Sequence, residues 1–498
     1  MFTAVKISLR KRVEMGKFNS KQVNQNLTNT YEGGKAYKKT LEDEWTNFLF
    51  SCILQDRFYE SAGKQQERYI ELTNAMIEKY GAAFVGKAAV FSRNVLGMRS
   101  ISELTAAILN QHQFEGKRDF YKKYFHRPDG VAEVFGAIDM LGGKRSHALV
   151  RGACDYLSTL DEYQVGKYKL NGKMYNMYDL INITHANSRA INAYKNDVLE
   201  VPDTWETKIS GAANQAEKEA EWKRLVEEKR LGYMALIRNL RNILSCGFVN
   251  PMWAKEHLIP QITNEIAIKK SMIFPYRIYT AWKTINDILP LDIESALSYA
   301  FIISVGNMPE LDGTSLVALD VSGSMEDRMS NHSDMTIKEV GAVYAAAMYL
   351  SGKDVDFVKF GNDCKKMKYN KYTNVFKLIK SMQDNDDCGY GTDIIPVFDS
   401  LDKHYDRIFL ISDMQVMDDS NYWFWNRVST NDVFKEYKSK YGNTHIYSFD
   451  LGNYHSQITN TGGNDISYIT ALNDTVFSII EMEESGKSLI DIIKEYNY

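Results

Sequence analysis

The 498-residue chain has few cysteines and no long apolar run. Its five cysteines, Cys52, Cys154, Cys246, Cys364 and Cys388, are odd in number and widely spaced, with no Cys-x-x-Cys pair and no histidine at zinc-site spacing. This argues against a disulfide framework or a structural zinc, and predicts reduced, buried thiols in a cytoplasmic protein. No stretch reaches the roughly 18–20 apolar residues of a membrane span. The first residues also lack the apolar core of a signal peptide, so no membrane partner is expected. No nucleophile stands beside an evident base, and a binding protein rather than an enzyme is the expectation.

What is present is a globular composition, 44% hydrophobic, in a chain long enough for two or three domains. The net charge of −4 hides an asymmetry, because residues 1–312 sum to +6 and the remainder from Gly313 to −10. A basic half admits a polyanionic ligand and an acidic half suits a cation site; two solvated surfaces are the plainer alternative.

The most specific stretch is Leu316–Met325, LVALDVSGSM. A buried strand ends in Asp320, and Ser322 and Ser324 follow on one tight loop. In an α/β domain, ligands gather beyond the carboxyl ends of such strands. One carboxylate and two hydroxyls are hard oxygen donors, the set Mg²⁺ prefers. Gly389–Asp393, GYGTD, adds Thr392, and the strand-like IFLISD adds Asp413. A turn that only caps the next helix is the alternative for the DVSGS loop. Phosphotransfer is disfavoured, since a serine stands where a second carboxylate would be needed. The constellation Asp320, Ser322, Ser324, Thr392 and Asp413 resembles the metal-ion-dependent adhesion site (MIDAS) of von Willebrand factor A domains. That resemblance implies direct coordination by the two serines and an acidic or phosphate oxygen from a partner.

Residues 1–40 hold nine basic residues against Glu14 and Glu32 and read as a basic arm or the edge of the next domain. Residues 41–312 show helical patterning throughout, in segments such as 42–54, 65–80, 82–94, 101–112, 131–141 and 145–160. Successive helix pairs of this kind build an α-solenoid, here of HEAT-like type, even without a visible repeat. Residues 313–498 alternate strand and helix, which implies a doubly wound, mostly parallel sheet. The acidic run 384–387 reads as a solvated loop. Asn421–Asn426, NYWFWN, reads as a partner-binding lip or as local packing.

Within the helical part, AVFSRNVLGMRS (89–100), KYKLNGKMYNMYDLINITH (167–185), VPDTW (201–205), YMALIRNLRNIL (233–244) and FPYRIYTAWK (274–283) stand in fixed order. Together they resemble the TROVE module of the Ro autoantigen family, which is followed there, as here, by a von Willebrand A domain. In YMALIRNLRNIL, Ile237, Leu240 and Leu244 form one apolar stripe, leaving Arg238 and Arg241 on a neighbouring face suited to phosphate or to solvent. Lys167, Lys169 and Lys173 alternate with Tyr168 and Tyr175, a basic and aromatic mixture that suits single-stranded nucleic acid. The resemblance adds His185, with Arg93 and Arg99 as weaker candidates. It implies a monomeric ring closed by the von Willebrand A-like domain, binding a small Y-like noncoding RNA and the single-stranded 3′ ends of misfolded or structured RNAs for quality control. It also implies an exoribonuclease or another protein at the metal site. The competing reading is a metal-dependent protein-binding module on a helical scaffold.

Overall fold

The computed structural model describes residues 27–29, 35–38, 40–52, 62–168, 170, 172–199, 203–285, 291–329, 334–371, 373–414, 430–452, 456–457, 466–469, 475–484 and 487–498. Most of the basic arm and all of NYWFWN therefore lie outside the described residues. Two short strands, β1 (Leu27–Asn29) and β2 (Lys35–Lys38), do lie within the arm, and β2 pairs with β8 (Ser456–Gln457) of the C-terminal half.

From Leu41 to Val305 the described elements are helices, several of them started by a side-chain cap. Ser146, Asp161, Asn176, Ser188 and Thr204 each accept a backbone N–H from the first turn, satisfying donors that a helix start leaves orphaned. The expected helix over 82–94 is found with those bounds. The single stripe expected over 233–244 is instead two short helices, Tyr233–Arg238 and Leu240–Leu244, broken at Asn239. Its apolar face still packs inward, with Ile237 and Leu240 buried and Leu244 against the core.

The helices form two cores. One gathers residues from Trp45 to Ile191; the other starts at Trp222 and runs on without interruption into one face of the C-terminal sheet. Trp282 stacks on Phe376 with ring centroids 4.3 Å apart, and the Tyr279 hydroxyl donates to Glu339 at 2.5 Å. At the other end of the array, the helix Leu489–Glu495 and its following residues lie on the helix Ala82–Asn94. Phe91 meets Tyr496 edge to face at 5.1 Å, and Lys87 and Lys123 donate to the carbonyls of Lys494 and Tyr498. The α/β domain thus touches both ends of the helical array, which closes on itself.

The sheet runs β5 (Cys364–Met367), β4 (Val355–Phe360), β3 (Ser315–Asp320), β6 (Arg407–Ser412), β7 (His445–Asp450), β9 (Ile466–Ile469). All pairings are parallel except that of β4 with β5. β3 and β6 are buried at every position, which is why both read as continuous apolar runs. The chain winds outward from β3 through β4, then returns to β6 on its other side, placing the topological switch point between these two strands.

Helices in the first core pack closely where glycine allows it. A Cβ on Gly152, in the helix His147–Leu157, would lie 2.6 Å from both the Arg118 carbonyl oxygen and the Tyr121 Cβ of the helix Lys117–Tyr124. Gly152→Ala is expected to destabilise the fold by about 1–3 kcal/mol, the usual cost of overpacking. Urea unfolding measures it, and an unchanged midpoint would show that these helices separate freely.

Candidate metal centre and nucleic-acid interface

Asp320 ends β3, and Asp413 follows β6 at the same edge of the sheet, so both carboxylates sit at the switch point. Both are fully buried, as nearly are Ser322 and Thr392. Asp320 accepts the Ser322 N–H at 2.8 Å and the Ser412 hydroxyl at 2.6 Å, bonds that fix the carboxylate plane. Burial pushes this carboxyl up to about 6 against the pull of those two hydrogen bonds, and a divalent cation would reverse that shift.

The Ser322 and Ser324 hydroxyl oxygens lie 3.3 Å apart. Adjacent ligands of an Mg²⁺ octahedron with bonds near 2.1 Å are about 3 Å apart, so the serine pair fits that ion with little movement. Among the described residues no three histidine, cysteine or acidic side chains group together, so a centre here relies on hydroxyls as well as carboxylates.

The threonine loop is tied to the serine loop through the backbone. Gly323 donates to the Tyr390 carbonyl at 2.9 Å, and Asp393 donates to the Gly361 carbonyl at 2.7 Å. A Cβ on Gly361 would stand 2.5 Å from the Gly389 carbonyl oxygen, so only glycine permits this approach. The acidic run is exposed at Asp384 and Asp387, as expected of a solvated loop, and is also anchored. The fully buried Lys359 of β4 donates to the carbonyls of Ser381 and Asp384 and pairs with Asp386, while Asn385 bridges the carbonyls of Val321 and Gly389. A lone lysine in an apolar strand was the sequence signal for this strut. Tyr390, 80% exposed beside the serine loop, is a second feature that sequence reasoning passed over.

The expected RNA contacts divide. Lys169 lies outside the described residues. Arg93 is only 8% exposed; its guanidinium stands 3.7 Å from the buried Glu103 and donates to the Met98 carbonyl, so its first role is structural. Arg99 is paired with Asp129. Lys173 pairs with Glu133 and Lys167 with Glu206, so the two lysines address different parts of the surface. Burial lowers the Lys167 ammonium, yet Glu206, Tyr163 and Tyr168 carry its pKa above the ordinary value. His185 is exposed and closes the helix Met177–Thr184 in a left-handed conformation, φ 58°.

Lys167 and Arg238 meet across a cleft of about 800 Å³ between the two helical cores. Tyr163, Trp205, Arg230 and Lys270 also line it. Asp203 and Glu206 pair with Arg230 and Lys167, whereas Arg238 and Lys270 make no ion pair among the described residues. Arg241 is exposed just beyond. No spacing in the sequence could have assembled this group, because its members come from segments brought together only by packing.

A TROVE domain model matches residues 172–300, the segment that carries Lys173, His185, Arg238, Arg241 and Lys270. The structure superposes on the crystal structure of the Deinococcus radiodurans RO (RSR) protein with a TM-score of 0.64, covering 89% of this chain and 100% of that one at 15% identity. The chain has the fold of that Ro protein, with a TROVE-matched segment in its helical part. The chain is also similar to telomerase protein component 1, at 31% identity over 90 residues for the Mus musculus protein and 30% over 88 for the Rattus norvegicus one. Those matches span 18% of this chain and only 3% of either relative's length.

The Arg93–Glu103 pair is expected to make the stability of the fold depend on pH. Burial raises the Glu103 carboxyl to about 7 from an ordinary 4.5, although Arg93 pulls it down. Between those values the folded chain holds a proton that the unfolded chain has lost, so this contribution to stability falls as pH rises through the interval. Glu103→Gln removes the titration. Relative to the native protein, its stability is expected to rise by on the order of 1–3 kcal/mol from about pH 5 to about pH 8. Unfolding at both pH values tests this, and an offset that does not change with pH would refute it.

Proposed function

We infer that the chain is an RNA-binding protein of the Ro type. The observation that carries this reading is the cleft between the helical cores, where Arg238 and Lys270 offer charge and Tyr163 and Trp205 offer ring faces at the edge of the TROVE-matched segment. Phosphates would be neutralised by the arginine and lysine side chains, and unstacked bases would lie on the rings. Single-stranded 3′ ends of structured or misfolded RNAs are the proposed ligands of the closed helical array. A duplex would be refused by width, and a small Y-like RNA on the outer basic surface would control access. Turnover is not part of this reading, which places the protein in the cytoplasm.

Asp320, Ser322, Ser324, Thr392 and Asp413 would hold Mg²⁺, which would supply a Lewis-acidic position for an acidic oxygen of a partner protein such as an exoribonuclease. The exposed Tyr390 beside the serine loop supports a partner surface there. Among the described residues no helix is long and apolar enough to cross a membrane.

Fluorescence anisotropy of a structured RNA with a single-stranded 3′ tail, against its blunt counterpart, tests the RNA reading. Tail-dependent binding is expected to weaken with salt and to survive EDTA. Neutralising Arg238 and Lys270 together should lower the log–log salt slope by roughly 1–2. Binding that ignores the tail, or that needs Mg²⁺ and Asp320, would instead favour the protein-binding module.

The metal reading is tested separately by thermal unfolding. Mg²⁺ at about 100 times its Kd should stabilise the native protein by about 2.7 kcal/mol and leave Asp320→Ala unmoved. Equal stabilisation of both proteins would place the ion elsewhere.

A further inference from the structure

A second basic pocket lies in the first helical core, apart from the cleft and the metal centre. It encloses about 270 Å³ and is lined by Arg93, Arg99, His126 and Arg127, with Asn94 and Gly97. Two helices begin at it. Ser100–Leu109 starts after Arg99 and Pro128–Met140 after Arg127, and neither N-cap side chain bonds its helix. Two positive dipole ends therefore meet three guanidinium groups, an arrangement suited to an oxyanion.

The counter-charge present is incomplete. Asp129 takes Arg99 at 3.2 Å and Arg127 at 2.9 Å through one oxygen, while its other oxygen and the Arg127 Nε are buried without a hydrogen bond among the described residues. Glu103 faces Arg93, and burial favours its neutral form. The Tyr156 side chain, 8% exposed and in the field of Asp129, Arg127 and Arg93, also has a hydroxyl with no hydrogen-bond partner among the described residues. Arg127 lies over the Tyr168 ring at 5.0 Å, which holds its planar group in place.

We propose that Arg99 and Arg127, with the two helix starts beneath them, form a phosphate-binding subsite. Its ligand is a phosphate group, and an RNA phosphate is the source the rest of the surface favours. Asp129 occupies the arginines in the absence of ligand and competes with it. Only the RNA source rests on the function inferred above; the affinity for phosphate itself does not.

Inorganic phosphate titrated into the full chain, followed by calorimetry at constant ionic strength, tests the subsite. Saturable binding is expected, weakened at least about tenfold in R99Q/R127Q, since each charged hydrogen bond lost is worth a comparable factor. Asp129→Asn should shift affinity the other way, tightening binding severalfold, and it keeps the test open if the double variant fails to fold. An oligonucleotide with a 5′ phosphate that displaces inorganic phosphate would make RNA the source. Displacement absent while phosphate still binds would make a free phosphate the source. No saturable phosphate binding to the native chain, or binding unchanged in R99Q/R127Q and D129N, would overturn the proposal.

Discussion

The structure depends on one shared hydrophobic core, in which the last helices of the array and one face of the α/β sheet are packed as a single body. Trp282 on Phe376, Tyr276 on Tyr344 and Phe274 on Phe477 are stacked ring pairs that cross from one half of the sequence to the other. Burial at this scale is the dominant favourable term in folding, and offset-stacked rings add to it. The change from helix to alternating strand and helix near residue 312 is therefore a change of secondary structure inside one core. The far end of the array is held differently. There the C-terminal helix contributes Ile493 to the first helical core, and lysines reach its backbone carbonyls.

That closure explains what a sequence can and cannot disclose here. The bounds of β4, β6 and the helix 82–94 were legible because each is a largely apolar stretch stopped by a glycine, an aspartate or an asparagine. β5, with the sequence CKKM, was not legible, because an edge strand carrying exposed lysines looks like a loop by composition. The helix 233–244 kept its apolar period while breaking at Asn239, since periodicity reports the buried face and not the continuity of the backbone.

The candidate metal centre and the proposed RNA surface differ in the same way. Asp320, Ser322 and Ser324 share one loop, so their chemistry was visible as a local pattern, and the parallel sheet needed only to bring Thr392 and Asp413 to the same edge. The basic candidates were spread over more than a hundred residues, and their roles are set by acids distant in sequence. Glu103 draws Arg93 inward, Glu206 and Glu133 hold Lys167 and Lys173, and Arg238 is left with no acid partner among the described residues. A count of lysines and arginines cannot distinguish these outcomes, because the free energy of each cation depends on which carboxylate packing places beside it.

The charge asymmetry then acquires a structural meaning. Net positive charge lies in the half that holds the cleft and the arginine pocket, and net negative charge in the half that holds the buried carboxylates. The proposed polyanion and divalent cation would then lie in opposite halves of the chain. Surface interactions with the first are screened within about 8–10 Å at ordinary ionic strength, so neither field reaches far into the other. What joins the two halves is chiefly packing, with the Lys283–Glu339 ion pair at 2.9 Å across the boundary. Any influence of a metal-site partner on RNA would have to pass through the shared aromatic core, by a shift in how the sheet and the last helices fit together.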